Sequence, residues 1–243
     1  MNLQSEPSDM HRETAIRVPS PATRGREIPA VARSGRLAEM LAADRLGTRL
    51  AFARNQEVFC EGDAADYCYL IVSGAVRICK ILADGRRHIA SFHFAHDFFG
   101  LDGLAVRQHC AETIGDVVVL RYSRAAVEQL AEQQPALTRR LRDLAFSSLA
   151  EAHERMLCLG RKTALERVTS FLLEMADRID EDGALEMPMS RGDIADYLGL
   201  TIETVSRVLS ALKRDGAIAL PNAHRIDLLD RDRLEEISVD SPT

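Results

Sequence analysis

Glu203 and Arg207 stand at i and i+4, with Ile202 just before them and Ser206 between them. On a helix this spacing places both charges on one face. An arginine guanidinium is a planar fork that fits the O6/N7 edge of guanine, and a carboxylate accepts from the amino group of cytosine. The same spacing also makes a surface ion pair worth only about 0.3 kcal/mol. The two readings are compatible, because such a pair orients the arginine for a base edge.

Side chains that read bases need a helix held end-on to a groove, and the flanking residues provide one. Ser190 followed by Asp193 approximates a capping box, the shorter acid standing in for glutamate. Ile194, Ala195 and Leu198 form the apolar side of the helix so begun, and Gly199 allows a tight turn. Thr201 caps a second helix whose Val205, Val208, Leu209 and Leu212 face inward. The pattern predicts a helix-turn-helix in which Ile202, Glu203, Ser206 and Arg207 face bases, while Arg191, Thr201 and Thr204 face the DNA backbone. Beyond it, Ile218 to Leu220 and His224 to Leu229 flank a turn at Pro221-Asn222. This hairpin predicts a wing that brings His224 and Arg225 to phosphate.

Upstream, Pro135 suits the first turn of a long helix running to about Leu159, with Gly160 as its stop. Ala145, Leu149, Ala152, Met156 and Leu159 recur in steps of four and three, a narrow stripe of coiled-coil type that predicts dimerisation. Thr163 to Ile179 reads as another amphipathic helix, closed by Glu181-Asp182-Gly183. Between Leu50 and Tyr122 the pattern changes to short apolar runs around Gly62-Asp63, Ser73-Gly74 and Asp84-Gly85, the signature of a sandwich or barrel. Residues 1–35 carry four prolines, Arg12, Arg17, Arg24, Arg26 and Arg33, and little apolar periodicity, which reads as a disordered tail.

The 243 residues carry 31 Lys+Arg against 37 Asp+Glu, a net charge of -6, so bulk positive charge is excluded as the way this chain meets nucleic acid. No apolar run is long enough for a membrane span and no secretory signal opens the chain, so a cytoplasmic protein is expected. Cys60, Cys68, Cys79, Cys110 and Cys158 contain no C-x-x-C pair, which argues against a zinc ribbon and a disulfide framework. His88, His93 and His96 read as surface histidines, and no metal site is expected. A jelly-roll metalloenzyme of cupin type needs His-x-His, which is missing, and would leave the helix-turn-helix unexplained.

In its order of elements the chain resembles the Crp/Fnr family of bacterial transcription regulators from about Leu50 to Leu229. Gln56 to Asp63 followed by Tyr69 to Arg77 is similar to the family's cyclic-nucleotide-type β-roll, and Leu159 to Val168 to its link between dimer helix and DNA domain. Glu203-Thr204-Val205-Ser206-Arg207 resembles the E-x-x-S-R element of the Fnr/FixK branch. The resemblance implies an α+β chain: β-roll (jelly roll) at 36–134, dimerisation helix at 135–160, winged helix-turn-helix at 161–230 and a carboxy-terminal tail at 231–243. It also implies a homodimer on double-stranded DNA at a palindrome with TTGAT-like half-sites, and RNA polymerase as a further partner. Arg207 would take the guanine, Glu203 the opposing cytosine and Ser206 a neighbouring thymine position. The cyclic-AMP receptor type carries an arginine where Ile202 stands.

Two departures narrow the signal. The family's cyclic-AMP pocket has a Gly-Glu-Leu cassette and a phosphate-neutralising arginine, whereas this chain reads Phe99-Gly100-Leu101-Asp102-Gly103-Leu104 and then His109-Cys110-Ala111-Glu112. Neither the glutamate nor the arginine stands at the matching place, and an acidic residue near a phosphate repels it, which argues against cyclic AMP. The first cysteine is Cys60, so the amino-terminal cysteine group of an Fe-S cluster is missing. The expectation is a FixK-like regulator with no cofactor; a ligand- or redox-gated regulator is the alternative.

Overall fold

The computed structural model describes residues 37, 41, 47–101, 105–179 and 184–239. The expected tail at 1–35, the stretch Asp102-Gly103-Leu104 and the turn at Glu181-Asp182-Gly183 lie outside the described residues. Eight short strands come first: β1 (Thr48–Phe52), β2 (Glu57–Phe59), β3 (Tyr67–Ser73), β4 (Val76–Ile81), β5 (Arg87–His93), β6 (Phe98–Phe99), β7 (Cys110–Thr113) and β8 (Val117–Ser123). They pair antiparallel into two sheets ordered β1-β8-β3-β6 and β2-β7-β4-β5. Alternate residues of both sheets bury one face against the other: Phe59, Val76 and Ala111 from one meet Tyr69, Ile71, Phe99 and Val119 from the other. Only glycine fits the β3–β4 turn, since Gly74 has φ 91° and a Cβ there would lie 2.4 Å from the Asp116 carbonyl. Asp84-Gly85 closes the β4–β5 hairpin as expected, with Leu82 N–H donating to the Arg86 carbonyl at 2.8 Å.

Helix α1 (Arg124–Gln133) and helix α2 (Pro135–Arg161) follow. Val127 and Leu137 pack with Leu37, Leu41, Leu70, Phe98 and Tyr122 over the outer face of the first sheet. Pro135 occupies the first turn of α2 as predicted. The helix does not stop at Gly160; it continues to Arg161 and ends where Lys162 turns extended, because a glycine in helical conformation weakens a helix without ending it.

The carboxy-terminal unit holds α3 (Ala164–Ile179), β9 (Ala184–Glu186), α4 (Arg191–Leu198), α5 (Ile202–Arg214), β10 (Ile218–Ala219), β11 (Arg225–Leu228) and α6 (Arg231–Ser238). The wing has three strands in the order β10-β11-β9 rather than the two that the sequence suggests. The segment expected as a carboxy-terminal tail also differs: Asp230 caps α6 by accepting from Arg233 N–H at 2.9 Å, and Leu234 is fully buried. One apolar core joins the two units, with Ile89, Phe92 and Phe94 of the roll against Phe171, Leu172 and Tyr197.

Candidate nucleic-acid interface

The capping box is present as expected. Ser190 Oγ accepts from Asp193 N–H at 3.1 Å, and Asp193 Oδ2 accepts from Ser190 N–H at 3.0 Å, which satisfies two of the amides that a helix start leaves free. Gly199 ends α4 in the left-handed conformation at φ 62°, where a side chain is strained, and so makes the turn. Thr201 caps α5, its Oγ1 accepting from Thr204 N–H at 3.2 Å. Val205, Leu209 and Leu212 are buried and Val208 is partly buried against the same core.

That packing turns Ile202, Glu203 and Arg207 to solvent, with Ser206 half-buried beside them. The Glu203 carboxyl is held below its usual range first by its own main-chain N–H, then by the Thr201 hydroxyl, and least by Arg207. The carboxylate thus leans on its helix end more than on the arginine. Arg191 Nη1 approaches Ser206 Oγ at 3.4 Å, so a predicted backbone residue and a predicted base-reading residue meet. In the wing, Arg225 Nε donates to Asp227 Oδ1 at 2.8 Å and His224 Nδ1 lies 3.2 Å from the Met187 carbonyl. Both side chains thus already have a polar partner inside the protein, and the main-chain N–H groups of both residues donate to Asn222 Oδ1 at 2.8 Å.

Asp193 has a second role that the sequence does not reveal. It is only 4% exposed, and its other oxygen, Oδ1, accepts from Arg87 Nη2 at 2.6 Å and Arg77 Nη1 at 3.2 Å, both on the roll. Arg87 Nε reaches Asp196 Oδ2 at 2.8 Å. No local pattern announces these contacts, since the partners are about a hundred residues apart.

Beside the roll, a cavity of about 800 Å³ lies against α2, bordered by Phe59, Phe99, His88, His93 and Glu151. Of the predicted dimer stripe, Ala145, Ala152, Met156 and Leu159 border this cavity, while Leu149 is 53% exposed. Phe146 and Leu157 also stand exposed on α2, outside the heptad stripe, Phe146 three positions before Leu149 and Leu157 next to Met156. Arg107, likewise not singled out by the sequence, is buried with its guanidinium 4.1 Å over the Phe59 ring, donating to the Gly100 carbonyl at 2.9 Å and to that of Tyr67. Burial pushes the His93 imidazole down to about 4. The three clustered histidines do not converge: His88 and His93 face the cavity, and His96 occupies a turn at φ 72°. Cys68 and Cys79 are buried, as a small apolar residue would be, whereas Cys60, Cys110 and Cys158 are partly exposed. A hydrogen bond with Glu57 and then burial raise the Cys60 thiol to about 12, and burial raises Cys79 to about 12. Neither supplies the thiolate that rapid oxidation chemistry uses.

A β-roll joined by a long helix to a winged helix-turn-helix with an exposed recognition face defines a DNA-binding transcription regulator. Residues 49–134 match the cyclic nucleotide-binding domain and residues 166–237 the Crp-like helix-turn-helix domain. The chain belongs to the Crp/Fnr family, whose members are transcription regulators rather than enzymes. Within it the chain is 42% identical to the nitrogen fixation regulation protein FixK of Azorhizobium caulinodans, over 90% of this chain and 91% of that one. FixK of Bradyrhizobium diazoefficiens is 40% identical, over 83% and 86% of the two chains. The solved structure of FixK2 from Bradyrhizobium japonicum superposes with a TM-score of 0.78 at 41% identity, covering 81% of this chain and 99% of that one. Among the described residues no helix is long and apolar enough to cross a membrane.

Proposed function

We propose that the chain is an activator of the FixK kind that binds, as a homodimer and without a small effector, palindromes of the TTGAT-N4-ATCAA type. One observation carries the reading: the amino-terminal end of α5 offers Ile202, Glu203 and Arg207 to solvent beside Ser206, on a helix whose opposite face is buried. Arg207 forks onto guanine O6/N7, Glu203 accepts from the opposing cytosine and Ser206 meets the neighbouring thymine position. Arg191, Thr201, Thr204, His224 and Arg225 serve the phosphates and set the register. Two copies join along α2, because its exposed Phe146, Leu149, Met156 and Leu157 leave an apolar surface that a lone chain does not cover. The two-fold axis then mirrors the palindrome, whose half-sites lie about 34 Å apart.

The names of the FixK relatives, nitrogen fixation regulation proteins, support a nitrogen-fixation-linked role; the same proposal includes a low-oxygen cascade, RNA polymerase as the promoter partner and the cytoplasm as the site of action. Independence from cyclic AMP is supported by Arg107, whose guanidinium donates to main-chain carbonyls, and by Phe99-Gly100-Leu101 where the family's Gly-Glu-Leu cassette would place its glutamate. The cavity beside α2 favours a second reading, gating by a small ligand. Titration of the purified, ligand-free protein under air against a fluorescent TTGAT-N4-ATCAA duplex and a scrambled control, at fixed salt, separates the two. Tight selective binding supports the first reading. Equal weak binding to both duplexes overturns it and turns attention to the cavity.

A further inference from the structure

The first helix of the helix-turn-helix, α4, is held from two sides, by the recognition helix and by the roll. Asp193 divides its two oxygens: Oδ2 closes the cap with Ser190, and Oδ1 receives Arg77 of β4 and Arg87 of β5. Arg77 also grips Glu112 of β7, its Nε donating to Oε2 at 2.8 Å, and Arg87 grips Asp196 one turn further along α4. Two guanidiniums and three carboxylates therefore form one network across the boundary between roll and DNA unit. Beside it Phe92 of β5 packs 4.9 Å from Tyr197 of α4, and Arg155 of α2 lies 3.8 Å over the same tyrosine ring. Arg167 of α3 closes the other end of α4, donating to the Leu198 carbonyl at 3.1 Å and to the Leu159 carbonyl at 2.7 Å.

Apolar contact alone lets two surfaces slide. A half-buried ionic network is different, because a shifted register leaves charges desolvated and unpaired, and that penalty is large. The network therefore selects one orientation of α4 on the roll. Because α5 packs directly on α4 through the Gly199 turn, with Leu200 N–H donating to the Ala195 carbonyl at 3.0 Å, the orientation of α4 is that of the recognition helix. The network also leaves the recognition face open, since Ile202, Glu203 and Arg207 point to solvent.

We propose that Arg77 and Arg87 are positioning residues for DNA reading: through Asp193 and Asp196 they clamp α4 to the β-roll and set where each recognition helix stands in the dimer. The proposal deepens the reading of an effector-independent dimer on a palindrome and rests on it. In a two-fold assembly the clamp governs the spacing between the two recognition helices, whereas the contacts of one helix with one half-site depend on the DNA unit alone.

The test compares the parent with Arg77→Gln/Arg87→Gln, with the milder Asp196→Asn, which spares the helix cap, and with Arg87→Lys as a conservative rescue. Each is titrated against a duplex with a single TTGAT half-site and against palindromes with spacers from three to six base pairs, and its radius of gyration is measured without DNA by small-angle X-ray scattering. The double variant is expected to hold the single half-site within about twofold of the parent and to bind the four-base-pair palindrome about tenfold more weakly, close to 1.4 kcal/mol. It is also expected to lose the preference for one spacer and to show a larger radius of gyration. Asp196→Asn should move the same way by less, and Arg87→Lys should keep the spacer preference. Equal loss on half-site and palindrome in both the double variant and Asp196→Asn would reduce the arginines to general fold support and overturn the proposal. An unchanged spacer preference in a folded double variant would overturn it too. If the parent itself shows no palindrome preference, the reading of the DNA site fails, and the scattering then decides the clamp: expansion of the double variant keeps it and an unchanged radius refutes it.

Discussion

At the scale of single residues, the base-reading set stands or falls on Arg207. Its side chain is exposed and Glu203 is drawn toward its own helix end, so the guanidinium is available for a base edge. Arg207→Ala is expected to cost about 1–3 kcal/mol per half-site and to relax discrimination at the guanine. Binding to a panel of single-base variants checks this; a uniform loss across all sequences would make Arg207 a phosphate contact. His93 allows a second residue-level prediction. Its pKa falls from 6.5 to about 4, first through burial, with Asp97 opposing and Arg178 assisting the shift. The folded chain keeps the ring neutral while the unfolded chain protonates it, so stability present above about pH 6.5 is lost progressively as the pH falls toward 4. His93→Gln should lose roughly 2–3 kcal/mol less than the parent between pH 7 and pH 4 in denaturant titrations. Equal acid sensitivity of the two proteins would remove His93 from the account.

At the scale of elements, what was legible in the sequence was whatever a helix or turn declares within a few residues. Ser190 with Asp193, Gly199 and Thr201 each act over a span of three or four positions, and all three devices are in place. The strand runs of the roll were readable for the same reason, since a glycine turn and an alternating apolar face are local. Elements that depend on distant partners escaped: β9 is three residues whose only pattern is its pairing with β11, and α6 has a single buried apolar anchor in a polar stretch. The stripe on α2 was half legible. Heptad spacing picked out Leu149 and Met156, but which helix side meets the roll and which is left bare depends on how α2 lies across the sheet, so Phe146 and Leu157 emerged only from their exposure. Leu149→Glu is expected to split the dimer and abolish tight palindrome binding, because a charge buried between two copies has no partner and a monomer gives up the second half-site. Analytical ultracentrifugation checks it; an unchanged sedimentation coefficient would move the seam elsewhere on α2.

At the scale of the whole molecule, the two units share a core instead of hanging from a linker. Arg178 of α3 illustrates the continuity, since its Nη2 donates to Asp97 Oδ2 at 2.8 Å and to the Phe92 carbonyl at 3.1 Å on the roll. Units fused in this way should unfold together, and a break confined to the apolar part of the seam should separate them without touching the arginine network. Phe92 is the side chain for that break, being buried at 1% exposure on β5 between Phe171 of α3, 6.3 Å away, and Tyr197 of α4. Truncation to alanine removes a large buried ring and leaves a cavity, a change that costs about 3–5 kcal/mol in well-packed cores. Because the lost contacts cross the boundary, most of that cost should fall on the coupling between units rather than on either unit alone. Scanning calorimetry of the parent is expected to show one cooperative transition, and that of Phe92→Ala two, with the DNA unit melting first. A single transition that merely shifts to lower temperature would mean that the ionic network and Arg178 suffice to keep the units cooperative, and that the apolar seam adds stability without linking them.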